Sequence, residues 1–137
     1  MLVKDLMRRE VFTVQEDDTV GELIDVLVAE HIHGAPVVDR QGKLTGVVTQ
    51  QDIFFSAMSG DGDGDTPAAP RPELRIRDIM TSPAVCATEE TEVTALCDMM
   101  FRLRIHRVPV VREGKMVGIV SSLDVCRAVA ARRSFSD

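Results

Sequence analysis

Tryptophan and tyrosine are absent from this sequence, and phenylalanine occurs only five times. The core therefore has to be aliphatic, built from Val, Leu, Ile, Met and Ala. Basic side chains are also in the minority: 16 Lys and Arg stand against 22 Asp and Glu, a net charge of −6. Nucleic-acid binding rests on clustered cations that neutralise phosphates, so no nucleic acid is expected as a partner. A local basic pocket could still hold one small anion. No apolar run approaches the roughly 18 residues of a membrane span, and no membrane insertion is expected. The N-terminus, MLVKDLMRRE, is charged from Lys4 onward and lacks the apolar stretch of a secretory leader. Cys86, Cys97 and Cys126 are odd in number and lack CxxC spacing, which argues against a disulfide framework or a zinc site. They are expected as buried or partly buried thiols. These absences together point to a cytoplasmic protein.

Catalytic patterns are missing as well. The sequence holds no HExxH, no GxGxxG and no Ser/His/Asp or Cys/His constellation. Catalysis needs a converging set of groups, so no enzyme activity and no required cofactor are expected. His31 and His33 stand next-but-one near a helix end and His106 lies far along the chain, an arrangement from which no metal site is expected.

What is present is a repeat. KDLM (4–7) matches RDIM (77–80), and TVGELIDVL (19–27) matches EVTALCDMM (92–100). IHGAPVV (32–38) matches IHRVPVV (105–111), and GKLTGVVTQQDI (42–53) matches GKMVGIVSSLDV (114–125). One residue is lost in the turn, where DRQG faces REG. Roughly 16 of about 50 aligned positions are identical and in constant order, which marks two copies of one structural unit.

Each copy reads as β-α-β-β-α, an α/β (α+β) fold of two tandem repeats packed as one pseudo-symmetric module. The opening strands are expected at Val11–Val14 and Ala84–Ala87. Val20, Leu23, Ile24, Leu27 and Val28 follow helical spacing, with Thr19 and Glu22 as a capping box. Val93, Leu96, Cys97 and Met100 repeat that stripe. APVVD and VPVVR then lead through turns at Gly42 and Gly114 into LTGVV and MVGIV, two hairpins. A second helix starts near Thr49 or Ser121. The expected divisions are repeat one over 1–58, a linker over 59–74, repeat two over 75–132 and a tail over 133–137. The linker contains SGDGDGDTPAAPRP, rich in Gly, Asp, Ala and Pro without apolar period. Asp61, Asp63 and Asp65 imitate the start of an EF-hand loop, but Thr66 stands where that loop needs Gly and Pro72 where it needs Glu. A solvated acidic linker is the reading.

The segments GVVTQQD (46–52) and GIVSSLD (118–124) carry the candidate chemistry. Each ends a strand with a hydroxyl and places an Asp three residues later, at a helix start. Thr49–Asp52 and Ser121–Asp124 fit a capping box that satisfies free backbone N–H groups. They also fit a site in which the carboxylate accepts from a ribose diol while the hydroxyl and helix N-terminus face sugar or phosphate. One side chain can do both.

The order β-α-β-β-α, the h-P-V-V strand, the closing G-h-h-[ST]-x-x-D and the tandem arrangement together resemble CBS domains, over nearly the whole chain apart from the linker and the last residues. The resemblance implies a regulatory module that pairs into a homodimer. It implies adenosine-containing ligands (AMP, ADP, ATP or S-adenosylmethionine) in clefts between the two repeats. The ribose-binding Asp matches Asp52 and Asp124, and its neighbouring hydroxyl Thr49 and Ser121. The adenine pocket, lined by side chains and backbone, maps onto Val11, Thr13, Val14, Ala35, Pro36, Val37, Val85, Ala87, Val108, Pro109 and Val110. His106 and Arg107 resemble a phosphate-contacting His-Arg pair; guanidinium binds phosphate through two parallel N–H bonds. His33 matches His106, but Gly34 replaces the Arg, so the two clefts differ. Arg8, Arg9 and Arg77 could add charge.

Two functions follow. In one, an adenine nucleotide acts as regulatory ligand and the module controls an unidentified partner protein in trans. In the other, the module is a constitutive dimerisation or protein-interaction unit without a physiological small ligand. It would pack through helix faces around Met99, Met100 and Phe101, or Ile53 and Phe54.

Overall fold

The computed structural model describes residues 1–58 and 71–135, with side chains through residue 132. Asp61, Asp63 and Asp65 of the acidic segment lie outside the described residues. The chain divides into two compact units, and they do not follow the repeats. A contiguous unit spans Phe12–Ala84; a split unit joins Met1–Val11 to Val85–Asp137. Each repeat thus gives its leading segment to the unit built mainly from the other repeat.

In the contiguous unit, β1 (Val14–Gln15) pairs in parallel with β2 (Gly34–Val38), which pairs antiparallel with β3 (Leu44–Thr49). Helix α1 (Val20–Glu30) connects the first two strands, and α2 (Gln50–Met58) follows the third. Thr19 caps α1 by accepting from the Glu22 N–H at 3.1 Å. Gly42 turns the hairpin with φ of 82°, a conformation glycine adopts without steric cost. Val14, Leu23, Leu27, Ala35, Val37, Val48 and Ile76 form the core, with Ile79 and Met80 packed on it. Ile76 opens a short 3₁₀ turn, Ile76–Asp78, of the second repeat's leading segment. Hydrogen bonds fix that segment: the Ile76 N–H donates to the Asp18 carbonyl, and Val47 and Thr81 exchange both backbone bonds. Pro72 and Leu74, inside the expected linker, already accept from the N–H groups of Gly21 and Val20.

The split unit repeats the plan. Helix α3 (Val93–Leu103) precedes the antiparallel pair β4 (Arg107–Arg112) and β5 (Lys115–Ser121), and α4 (Ser122–Phe135) follows. Val3, Ala87, Leu96, Met100, Val108, Val110 and Val120 form its core. Val3 opens a 3₁₀ turn, Val3–Asp5, equivalent to that at Ile76. Arg8 and Ile119 exchange backbone hydrogen bonds as Thr81 and Val47 do. Lys4 pairs with Glu90 as Arg77 pairs with Asp17.

Three expectations need correction. The opening strand of repeat two is a single parallel bridge, Ala87 to Val110. Its counterpart β1 gains a further rung because the Glu16 N–H reaches the Val38 carbonyl. The helix stripes are narrower than read: Val28 is 69% exposed and Cys97 is exposed, because Leu23/Leu27 and Leu96/Met100 already fill the space under each helix. Cys86 and Cys126 are exposed too. None of the three thiols belongs to either core, so the reading as buried or partly buried thiols does not hold.

Candidate functional site

Each β-strand before a second helix ends on the hydroxyl residue, and the helix begins one residue later. The first free N–H of each helix is met by the preceding hairpin: Gln50 donates to the His33 carbonyl and Ser122 to the His106 carbonyl, both at 2.9 Å. The backbones of His33 and His106 thus complete the turns, while both imidazoles are exposed.

The hydroxyl and the Asp cap the turn reciprocally. The Ser121 N–H and hydroxyl both donate to Asp124 Oδ2, each at 2.9 Å, and the Asp124 N–H donates to Ser121 Oγ at 3.2 Å. Thr49 and Asp52 repeat this, with the Thr49 N–H 2.8 Å from Asp52 Oδ2. The capping chemistry read from sequence is therefore present. It occupies Oδ2 of each Asp with two donors, which leaves Oδ1 as the oxygen open to other partners.

The two Oδ1 atoms meet different partners. At Asp52, Oδ1 accepts from the Thr81 hydroxyl at 3.2 Å. At Asp124, Oδ1 accepts from Arg8 Nε at 3.2 Å and Arg127 Nη1 at 3.4 Å. Asp124 is 5% exposed, the buried charged residue of the molecule's described part, whereas both arginines stay more than half exposed. Burial by itself pushes the Asp124 carboxyl up. The Ser121 N–H and hydroxyl and the Arg8 guanidinium outweigh that and hold it below the ordinary Asp range.

A carboxyl depressed in the folded state contributes stability that is complete above its unfolded value, about 4, and is lost as pH falls through the folded one. Urea unfolding of the parent and of Asp124→Asn should therefore show a stability gap that is constant between about pH 7 and 5 and narrows below about pH 4. A gap independent of pH would contradict the ionised, paired state of Asp124.

The other sequence-predicted residues fall into distinct places. Arg107 stands directly across from Ser121 in the β4–β5 register, so the two side chains share a face. It is exposed and forms no ion pair among the described residues. Gly34 holds the equivalent place across from Thr49. A Cβ there would lie 2.8 Å from the Val48 carbonyl oxygen, so no larger residue fits without a backbone shift. Val14, Ala35, Pro36, Val37, Ala87, Val108, Pro109 and Val110 are buried. The valines and alanines among them fill the two cores. Val11 and Thr13 are half-buried, and Val85 is 42% exposed. Arg9 and Arg112 both pair with Glu89, and these contacts, the Arg112 hydrogen bond foremost, hold that carboxyl below its ordinary range.

Sequence reasoning missed Thr81 and Arg127 as partners of the two carboxylates. Arg127 was within reach of the helical rule, three residues after Asp124 on one face. Thr81 gave no local signal, because it comes from the other repeat's leading segment. An open groove of about 300 Å³ in the split unit, lined by Met1, Leu6, Val93, Val125 and Val129 among others, contains none of the predicted site residues. Among the described residues, no group of three or more His, Cys, Asp or Glu could hold a metal, and no helix is long and apolar enough to cross a membrane.

Comparison with known proteins places these turns in context. The CBS domain family model matches residues 3–58 and 76–131. An inosine-5'-monophosphate dehydrogenase of Methanocaldococcus jannaschii is 32% identical over 90% of this chain, but the match spans 22% of that enzyme. The CBS domain-containing protein YhcV of Bacillus subtilis is 28% identical over 90% of this chain and 81% of its own length. Among solved structures, the CBS-domain protein ATU1752 of Agrobacterium tumefaciens superposes with a TM-score of 0.75 at 30% identity, covering 94% of this chain and 99% of its own. The CBS domain pair of protein MJ0100, solved in complex with 5'-methylthioadenosine and S-adenosyl-L-methionine, superposes with a TM-score of 0.74 at 29% identity, covering 96% and 98%.

Proposed function

The chain belongs to the CBS domain family through both of its repeats, and from that premise we propose that it senses an adenine nucleotide or other adenosyl ligand and controls a separate partner protein. The ligand's ribose sits at Asp52 and at Asp124. The observation that carries this reading is the state of the two carboxylates. The cap uses Oδ2 in both turns, while Oδ1 is held by side chains that can exchange for a diol: Thr81 from another segment at Asp52, and Arg8 from another segment together with Arg127 of the same helix at Asp124. The neighbouring hydroxyl retains acceptor capacity for the second sugar hydroxyl. A related CBS pair that carries two adenosyl ligands supports the ligand class. The ligand acts by favouring one arrangement of the module over another, in proportion to its difference in affinity for the two. The module works as a homodimer in the cytoplasm and performs no catalysis.

The test is thermal unfolding with AMP, ADP, ATP, S-adenosylmethionine and NADH, in parent, Asp52→Ala and Asp124→Ala proteins. A ligand at 100 times its Kd should add about 2.7 kcal/mol of stability, and the shift should shrink in the variant that loses its site. Protein free of copurified ligand that responds to none of them would sink the sensor.

A second reading has its own observation. Phe101 is 84% exposed on α3, and Phe54 and Phe55 are 56% and 61% exposed on α2. These rings favour a constitutive interaction module that pairs through them. Met100, part of the face expected for that pairing, is buried in the core instead. Loss of the dimer in Phe101→Ser by sedimentation, with no ligand response in the parent, would support this alternative.

A further inference from the structure

The two turns differ in charge at three aligned positions. Around Ser121 and Asp124 stand Arg8 and Arg127, both on Asp124 Oδ1, and Arg107, unpaired and on the same face as Ser121. The repeat alignment sets Thr81, Phe55 and Gly34 at those three positions around Thr49 and Asp52. Thr81 gives Asp52 a neutral hydroxyl in place of the guanidinium. Phe55 cannot donate to a carboxylate, and Gly34 has no room for a side chain. One turn holds three cations for one carboxylate; at the same positions the other holds none.

Resting on the adenosyl reading above, we infer that the turn in the split unit is specific for a phosphorylated nucleoside, and the turn in the contiguous unit for a nucleoside without phosphate. Three arginines beside one buried carboxylate leave positive charge that a phosphate neutralises. Without ligand, Arg8 and Arg127 satisfy Asp124 Oδ1. A ribose diol donates to the same oxygen and replaces them. The released guanidiniums and Arg107 then bind phosphate oxygens, where planar forked donors form their strongest hydrogen bonds. Buried Asp124 is paired before and after the exchange, so no charge is left unsatisfied. At Asp52 a ribose displaces only the Thr81 hydroxyl. A phosphate brought there meets the Asp52 carboxylate with no compensating cation from the three positions.

Titration calorimetry with adenosine and with AMP tests this on the intact chain. Asp52→Ala isolates the split-unit turn, and Asp124→Ala isolates the other. With Asp52→Ala, AMP should bind at least tenfold more tightly than adenosine. Adding Arg107→Ala or Arg8→Thr should reduce that preference for AMP over adenosine several-fold. Arg107 is exposed and unpaired, so its variant keeps the test valid if Arg8→Thr unfolds. In Asp124→Ala, AMP should bind no better than adenosine, and adding Thr81→Arg should introduce a preference for AMP. An AMP preference that survives both arginine substitutions, or that resides in Asp124→Ala protein, overturns the assignment and leaves the sensor intact. Binding of neither compound to the parent overturns both.

Discussion

A fragment spanning residues 12–84 is expected to show a cooperative thermal transition, and one spanning residues 1–58 is expected to show none. By sequence the second fragment is the natural piece, since it holds the whole of repeat one. By packing it is half a unit. Its core would lack Ile76, fully buried, together with Ile79 and Met80. The N–H of Val20 and that of Val47 would lose the carbonyls of Leu74 and Thr81. Truncating one buried aliphatic side chain of this size costs about 2–5 kcal/mol, against a total stability of about 5–15 kcal/mol for a domain. Removing three, with their backbone bonds, exceeds what so small a body can lose. Residues 12–84 keep every member of that core. Circular dichroism melts of both fragments decide the matter. A sigmoidal transition in the 1–58 fragment would show that the exchanged segment is dispensable.

Gly46→Val and Gly118→Val should be the most destabilising single changes in the two hairpins, each by about 1–3 kcal/mol or more. Both glycines are buried in the strand before a second helix, where a leading segment crosses it. A Cβ at Gly118 would lie 2.8 Å from the Arg8 carbonyl oxygen and 3.0 Å from Met7 Sδ. At Gly46 it would lie 2.7 Å from the Thr81 carbonyl oxygen and 2.9 Å from Met80 Sδ. The nearest obstacle is backbone in both cases, so no rotamer change relieves it. The crossing segment has to lift, which breaks the paired hydrogen bonds of Arg8 with Ile119, or of Thr81 with Val47. For Gly118→Val the damage should reach the Ser121–Asp124 turn, because Arg8 is carried on the lifted segment. Urea denaturation gives the stability loss, and a midpoint within error of the parent would argue against the crossing.

These predictions mark what a sequence conveys and what it withholds. The hairpins, their turn glycines, the paired second helices and the Thr49–Asp52 and Ser121–Asp124 boxes were legible, because each depends on spacing within a few residues. The tandem repeat made them legible twice. The exchange of leading segments was not, since KDLM and RDIM are so alike that either fits either unit. Only long-range packing separates them. The charge contrast between the turns was half visible: Arg107 against Gly34 lies within one motif, whereas Arg8 against Thr81 needs the exchange to be known. Exposure of the cysteines was hidden for another reason. A thiol beside an apolar stripe reads as core until the helix's rotation is fixed by its larger neighbours, Leu96 and Met100.

The split unit also carries a consequence for how the chain acquires its shape. Its two parts are separated by roughly seventy residues, and closing a flexible loop of that length costs about 4 kcal/mol of chain entropy. If the intervening stretch folds first, Phe12 and Ala84 are confined to one small body and most of that search is already over. Synthesis from the N-terminus imposes the same sequence of events. The first eleven residues emerge earliest yet have no core to join until Leu96, Val108 and Val120 have been made. On that order the molecule is assembled from its middle outward, with residues 1–11 settling only once the core they join has been made.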